Sequence, residues 1–426
     1  MKKTVLSLAS VLAATAFAPE ASALPAFARQ TGQACNACHF QHFPVLNTTG
    51  QEFKAGGFTQ MSAKGKIKGE GISIPDQLNA AVLLKAKYTK TSGTDAAGTV
   101  SGTTTNGGQW ALPDEFSLFF GGRIGESSLL KMGFLMENAL AGPAVTGSTG
   151  IIGGVKVPIV ITALDSVSFL VVPFVTDSLG MAYGYDQSSG GIVRGIRWSE
   201  HHAETYAGRF TGLATGAASG LTYVVKSDIG YINLTRWAPH YTLSGTTGVQ
   251  LSSNWLRVAA TPTIADWAMH IGLGIANGSN YCNPFGTAAV AADKCDTKGN
   301  VFDVQAQGVV AEMETSLYFA TSKTPKSPVG GTANYFNASP DNDLKATTIG
   351  AEVSVIPHTL HLGAAYRKGK QSDVAASKDD AITVQAIYDL FQNAGLHAVY
   401  SKYSGPAYDL PNASNSKLTL MLESAW

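Results

Sequence analysis

Lys417-Leu418-Thr419-Leu420-Met421-Leu422-Glu423-Ser424-Ala425-Trp426 ends the chain. In an extended backbone successive side chains point to opposite faces. Leu418, Leu420, Leu422 and Trp426 therefore share one face, and Thr419, Met421 and Glu423 the other. The same alternation recurs upstream. Ile349, Ala351, Val353 and Val355 oppose Gly350, Glu352 and Ser354. Leu360, Leu362, Ala364 and Tyr366 oppose His361, Gly363, Ala365 and Arg367. Only Pro357-His358-Thr359 divides these two runs, the length of a tight hairpin. Ile382, Val384, Ala386, Tyr388 and Leu390 oppose Thr383, Gln385 and Asp389, with Ile387 out of phase.

A soluble sandwich alternates too. Here the polar face is rich in Glu, Arg, Gln and His, and the segments number roughly fourteen to eighteen, as a large barrel requires. A final strand with a terminal aromatic resembles the signal that outer-membrane barrels present to their assembly machinery. The N-terminus reads as an export signal: Met1-Lys2-Lys3, the apolar run Val5 to Phe17, then Ala21-Ser22-Ala23. That apolar run is too short to span a bilayer, and Lys156 and Asp165 cut the longest one downstream. The expectation is an all-β, transmembrane antiparallel β-barrel of about 16 strands. It divides as signal peptide 1–23, a small helical segment 24–76 acting as plug, and barrel 77–426.

Polar stretches at Thr91 to Gly108, Asn277 to Asn300 and Ser322 to Asp343 read as extracellular loops. Trp110, Tyr223, Tyr231, Trp237, Trp255, Trp267 and Tyr403 read as interfacial girdles. Net charge is zero, with 30 basic and 30 acidic residues, which gives no basic footprint for nucleic acid. No phosphate loop, HExxH or nucleophile–base pair appears, so hydrolytic and nucleotide chemistry are not indicated.

Cys35-Asn36-Ala37-Cys38-His39 carries the chemistry. C-x-x-C-H is the attachment pattern of haem c: two thiols form thioethers to the vinyl groups, and the histidine reaches the iron. A zinc site would need a second ligand pair nearby, and a thioredoxin-like dithiol a βαβ context. Neither is visible. Cys282 and Cys295, thirteen positions apart, are candidates for a loop-closing disulfide. His39 is the expected proximal ligand to one covalent haem c. His42, three residues on, would share a helical face with His39 and reads as a propionate or backbone partner. Met61 is a candidate distal ligand. A lumen residue such as His361, or an open sixth position, are the alternatives. Glu200-His201-His202-Ala203-Glu204 is the densest cluster of carboxylates and imidazoles, suited to Fe(II) or to a polar turn. Glu352, Arg367 and Asp389 read as ordinary lumen residues.

Leu24-Pro25-Ala26-Phe27-Ala28-Arg29-Gln30-Thr31-Gly32 precedes the motif. Pro44-Val45-Leu46-Asn47, Gly50 and Phe53-Lys54-Ala55-Gly56-Gly57-Phe58 follow it. Over residues 24 to 58 this resembles the fused outer-membrane monohaem cytochrome–porins of iron-oxidising bacteria. The resemblance implies electron transfer in the bacterial outer membrane, from extracellular Fe(II) or another redox donor to a periplasmic c-type cytochrome. It implies a cytochrome segment in the barrel lumen or at its periplasmic side. The barrel itself would be embedded in outer-membrane lipid, and nucleic acid is not an expected partner.

Overall fold

The computed structural model describes residues 25–43, 45–62, 66–69, 72–76, 79–93, 107–127, 129–141, 153–164, 166–187, 206–240, 250–282, 294–371, 378–409 and 414–426. Sixteen antiparallel strands close into one barrel. In chain order they are β1 (Ala80–Thr91), β2 (Gln109–Glu126), β3 (Leu130–Ala141) and β4, which has two parts, Gly154–Lys156 and Ile159–Leu164. Then come β5 (Val167–Thr176), β6 (Ala218–Ser227), β7 (Gly230–Ala238) and β8 (Ser253–Ala260). They are followed by β9 (Trp267–Tyr281), β10 (Gly299–Val310), β11 (Met313–Thr324) and β12 (Leu344–Ile356). The set ends with β13 (Leu360–Lys370), β14 (Asp380–Phe391), β15 (Ala394–Ser404) and β16 (Ser416–Ala425).

The terminal run that set the reading closes the barrel. β16 pairs β1, with Leu420 opposite Tyr88 and Leu422 opposite Ala86. Its alternation has the predicted sense: Leu420 and Leu422 are exposed, while Thr419, Met421 and Glu423 are buried. The β12–β13 hairpin behaves alike. Ile349 is 59% exposed and Glu352 is 0% exposed. The surface is thus apolar outside and polar inside, the inverse of a soluble domain, because lipid replaces water as the outer solvent. Ile387, the out-of-phase residue, is buried in the lumen.

All even-to-odd connections are short and lie on one rim. At Ala311-Glu312 both residues take positive φ, the two-residue turn whose twist matches antiparallel strands. The odd-to-even connections are longer and lie on the other rim. Three expected loop limits shift: Asn277–Tyr281, Gly299–Asn300 and Ser322–Thr324 are strand. The girdle reading is also corrected. Trp110 and Tyr223 are exposed, but Tyr231, Trp237 and Trp255 are buried in the lumen, because strand parity rather than residue type decides the face.

The largest surprise is in the connection between β5 and β6, of which residues 177–187 and 206–217 are described. Met181, Tyr183, Tyr206, Leu213 and Ala214 fold inward and form a core with Trp237, Trp255 and Tyr318. The short helix Ala207–Phe210 belongs to this inward turn. Loop residues that bury apolar side chains need an interior, and a sixteen-strand barrel provides one.

Candidate functional site

The N-terminal segment contributes helix α1 (Pro25–Thr31), a 3-10 turn at Cys35–Ala37 and helix α2 (Thr48–Ala55). A hairpin, Lys66–Gly69 with Ile72–Pro75, leads on to β1. Phe27, Phe53 and Phe58 pack as an aromatic trio with ring centroids 5.0 to 5.8 Å apart. That trio is a small core that the segment makes from its own residues.

Polar contacts then fix the segment to inward-facing barrel residues. Gln30 accepts from Asn79 at 2.8 Å. The Gln41 amide donates to the Glu314 and Glu352 carbonyls at 2.9 and 3.0 Å and accepts from Ser316 at 2.7 Å. Gln307 donates to the Leu46 carbonyl at 3.0 Å. Glu52 meets Lys226 at 2.9 Å and accepts from Gln187, in the inward loop, at 2.7 Å. Lys156 lies over both the Phe58 and Tyr183 rings, 5.7 and 4.4 Å from their centroids, and so joins segment to loop again. The segment is a plug, held near the short-turn rim.

Cys35 is buried and Cys38 half-buried. The Cys35 amide donates to Gln392 at 3.3 Å, in the turn between β14 and β15. Gly50 of α2 faces the motif so closely that a Cβ there would stand 2.3 Å from the Cys38 carbonyl oxygen. Asn47 caps α2 by accepting from Gly50 at 3.0 Å, and its amide reaches the Ala37 carbonyl at 3.1 Å, so helix and motif are one unit. His39 Nδ1 lies 3.2 Å from the Val45 carbonyl. Only a donor satisfies that oxygen, which sets the tautomer with its lone pair on Nε2, the nitrogen a haem iron takes. Burial pushes the Cys38 thiol up, the opposite of what a redox dithiol needs. The residues present therefore fit a covalent haem better than a dithiol.

His42 does not lie on a helix with His39. Gln41 takes φ 63° and turns the chain, and His42 points away into the wall. His42 Nδ1 bonds the Phe43 carbonyl at 2.7 Å and Nε2 bonds Glu352 at 2.6 Å. Burial alone would lower its pKa, but the Glu352 charge and hydrogen bond, with Asp389 beyond, outweigh it and lift it to about 9. His361 is equally committed, to Ser354 at 2.8 Å and Asp389 at 3.2 Å. Met61 is half-buried; the neighbouring Gln60 carbonyl and Ser62 amide both bond Gln30. Arg367 pairs with Asp379 at 2.6 Å. Cys282 and Cys295 are disulfide-bonded, with Cα atoms 5.8 Å apart, in the connection after β9. Glu200 to Glu204 lie outside the described residues, and among the described residues no three His, Cys, Asp or Glu side chains gather as a metal site.

Near the motif, a small part-open cavity of about 20 Å³ is lined by Phe43, Asp389, Gln392, Gly395, His397 and Glu423, among others. Phe43 packs edge-on against His39, with ring centroids 5.3 Å apart. Sequence reading passed over His397. The signal was there: it shares the inward face of β15 with Gly395, Val399 and Ser401.

No protein-family profile and no curated protein sequence matches this chain. Solved structures do. The outer-membrane channel DcaP of Acinetobacter baumannii aligns at TM-score 0.53 and 12% identity, over 85% of this chain and 100% of that one. Outer-membrane OmpT of Vibrio cholerae aligns at TM-score 0.49 and 11% identity, over 85% and 100%. At 12% identity the DcaP likeness is one of fold, a closed outer-membrane β-barrel.

Proposed function

We propose that this chain is an outer-membrane electron-transfer cytochrome–porin. Cys35 and Cys38 hold one haem c, His39 is its proximal ligand, and electrons pass from extracellular Fe(II) to a periplasmic c-type cytochrome. The observation that carries this is a C-x-x-C-H sequence on a plug seated inside a closed sixteen-strand barrel. Haem c, when bound, supplies one-electron chemistry at its iron. The chain's own residues do the rest. The thiols fix the macrocycle edge, Val45 orients His39, and Gly50 lets α2 brace the motif. His42, Gln41 and Glu52 tie the plug to the wall and keep bulk solvent out of the lumen.

A second reading takes another donor or acceptor, or a haem-plugged porin. One observation favours it. Cys35 lies against the short-turn rim, and β14 runs on for 12 residues to the long-loop side. Tilted strands of that length rise roughly 30 Å, and short turns are periplasmic in this class. An external donor is thus far from the motif.

The test is the visible spectrum of the detergent-purified mature protein before and after anaerobic Fe(II). A c-type spectrum whose α-band rises promptly with Fe(II) supports the proposal. A c-type spectrum reduced by dithionite but indifferent to Fe(II) overturns Fe(II) as donor and leaves the second reading. Cys35→Ala with Cys38→Ala should abolish covalent haem; haem that survives denaturation in that variant ends both.

A further inference from the structure

We propose that a row of lysines on the outer face of β11 to β14, at the long-loop rim, binds the phosphate groups of an outer-leaflet glycolipid of the lipid A class. The inference needs only the barrel and does not rest on haem.

Strand register sets the row. Lys323 of β11 pairs Lys345 of β12, Lys345 pairs Lys370 of β13, and Lys370 bridges Lys378 just before β14. Residues directly opposite each other share a face, and like charges so placed repel. Four such positions in succession span about 15 Å, at about 4.8 Å per strand. Lys368 adds a fifth ammonium on the same face, two residues along β13 from Lys370.

The carboxylates at hand do not balance this charge. Asp343 meets Lys323 at 2.9 Å and Lys345 at 3.4 Å, and Asp380 meets Lys378 at 3.3 Å. Among the described residues Lys368 and Lys370 have no carboxylate partner. Two carboxylates thus face five ammonium groups. Lys323, Lys345 and Lys378 are 42, 49 and 58% exposed despite their pairs, which leaves room for a second anion. Other outward cations at this rim have uncharged cross-strand neighbours. Lys90 is opposite Leu418, Lys402 opposite Ile382 and Arg236 opposite Asn254.

Position identifies the anion. Ile349, four residues along β12 from Lys345, and Tyr366, four from Lys370, are exposed on the lipid-facing side. Lys345 is the second residue of β12 and Lys370 the last of β13. The row therefore stands at the upper edge of the apolar band, continuous with the lipid-facing surface. There lysine stems lie along acyl chains and their heads reach the headgroup layer. Long loops are extracellular in this class, so that layer is the outer leaflet, where lipid A carries the phosphates. A lysine ammonium is a compact donor that suits phosphate. Bound phosphate would relieve the repulsion along the row, and the row would replace the divalent cations that otherwise bridge such phosphates.

The test is native mass spectrometry of the purified full chain in non-ionic detergent with EDTA, titrated with bisphosphorylated lipid A. The wild type should hold the lipid without divalent cations, and the dephosphorylated form should bind at least tenfold more weakly. Lys345→Gln with Lys370→Gln should lose at least tenfold in affinity, whereas Lys90→Gln should lose nothing. If the double variant does not fold, Lys345→Gln alone should show a smaller loss in the same direction. Undiminished binding in the folded variant, or equal binding of the dephosphorylated lipid, overturns the site. Displacement of the lipid by millimolar inorganic phosphate would assign the row to a soluble anion and overturn the lipid assignment.

Discussion

At the scale of single residues the plug depends on a few buried polar atoms. His42 and Glu352 are both fully enclosed and 2.6 Å apart, with the His361 ring 5.2 Å from that of His42 and Asp389 beyond. A histidine whose folded pKa is raised stabilises the folded form fully below its unfolded value near 6.5. That contribution is lost as pH rises through the folded value, here about 9. The difference corresponds to something on the order of 3 kcal/mol of plug docking. Proteolysis of the intact protein in detergent should therefore leave residues 25–62 protected at pH 6 and increasingly cut above pH 9. His42→Gln should remove that pH step and should also weaken docking at neutral pH, since it leaves Glu352 with less compensation. A flat profile in the wild type would show that the pair does not hold the plug.

At the scale of elements, the strands were legible and the lumen was not. Alternation in Lys417–Trp426, Ile349–Val355 and Leu360–Arg367 fixed both the strand faces and their sense, because lipid and lumen demand opposite polarity along every strand. The same rule would have turned Tyr231, Trp237 and Trp255 inward had their parity been followed instead of their ring chemistry. The inward segments 177–187 and 206–217 have no period to read, since their burial comes from tertiary packing alone. The motif Cys35–His39 was legible as chemistry, but its wall partner Gln392, and the Glu314 and Glu352 carbonyls that hold the nearby Gln41, are hundreds of positions away and no local pattern signals them. One backbone approach is unusually close: a Cβ on Gly133 of β3 would stand 1.9 Å from the Gly57 carbonyl oxygen of the plug. Gly133→Ala must push plug and wall apart, at a cost of about 1–3 kcal/mol in docking. Faster hydrogen exchange at residues 50–60 is the expected readout. Gly107→Ala, where the added Cβ meets nothing within 4 Å, should change nothing and serves as the control.

At the scale of the whole molecule, two inserts fill one barrel. Sixteen strands alone leave a water-filled channel. Here the N-terminal segment enters from the short-turn rim and residues 177–187 and 206–217 from the long-loop rim, and they meet where Gln187 donates to Glu52 at 2.7 Å and Lys156 spans Phe58 and Tyr183. An electron conduit benefits from this closure, because a leaky lumen would let the donor and its oxidised product into the cell. A solute porin would not. The two functions therefore predict different currents in a planar bilayer. The wild-type protein should conduct a small fraction of the current of an unobstructed sixteen-strand barrel. Deleting residues 25–62 should raise conductance several-fold, yet leave it below that of the unobstructed barrel. The loop core around Trp237, Trp255 and Tyr318 would remain, anchored to the wall through Asp186, which accepts from Tyr231 at 2.7 Å. Open-porin conductance in the undeleted protein would mean that the plug leaves the lumen in the membrane. The contacts of His42, Gln41 and Glu52 would then belong to a closed state only, and gating rather than electron transfer would be the work the plug performs.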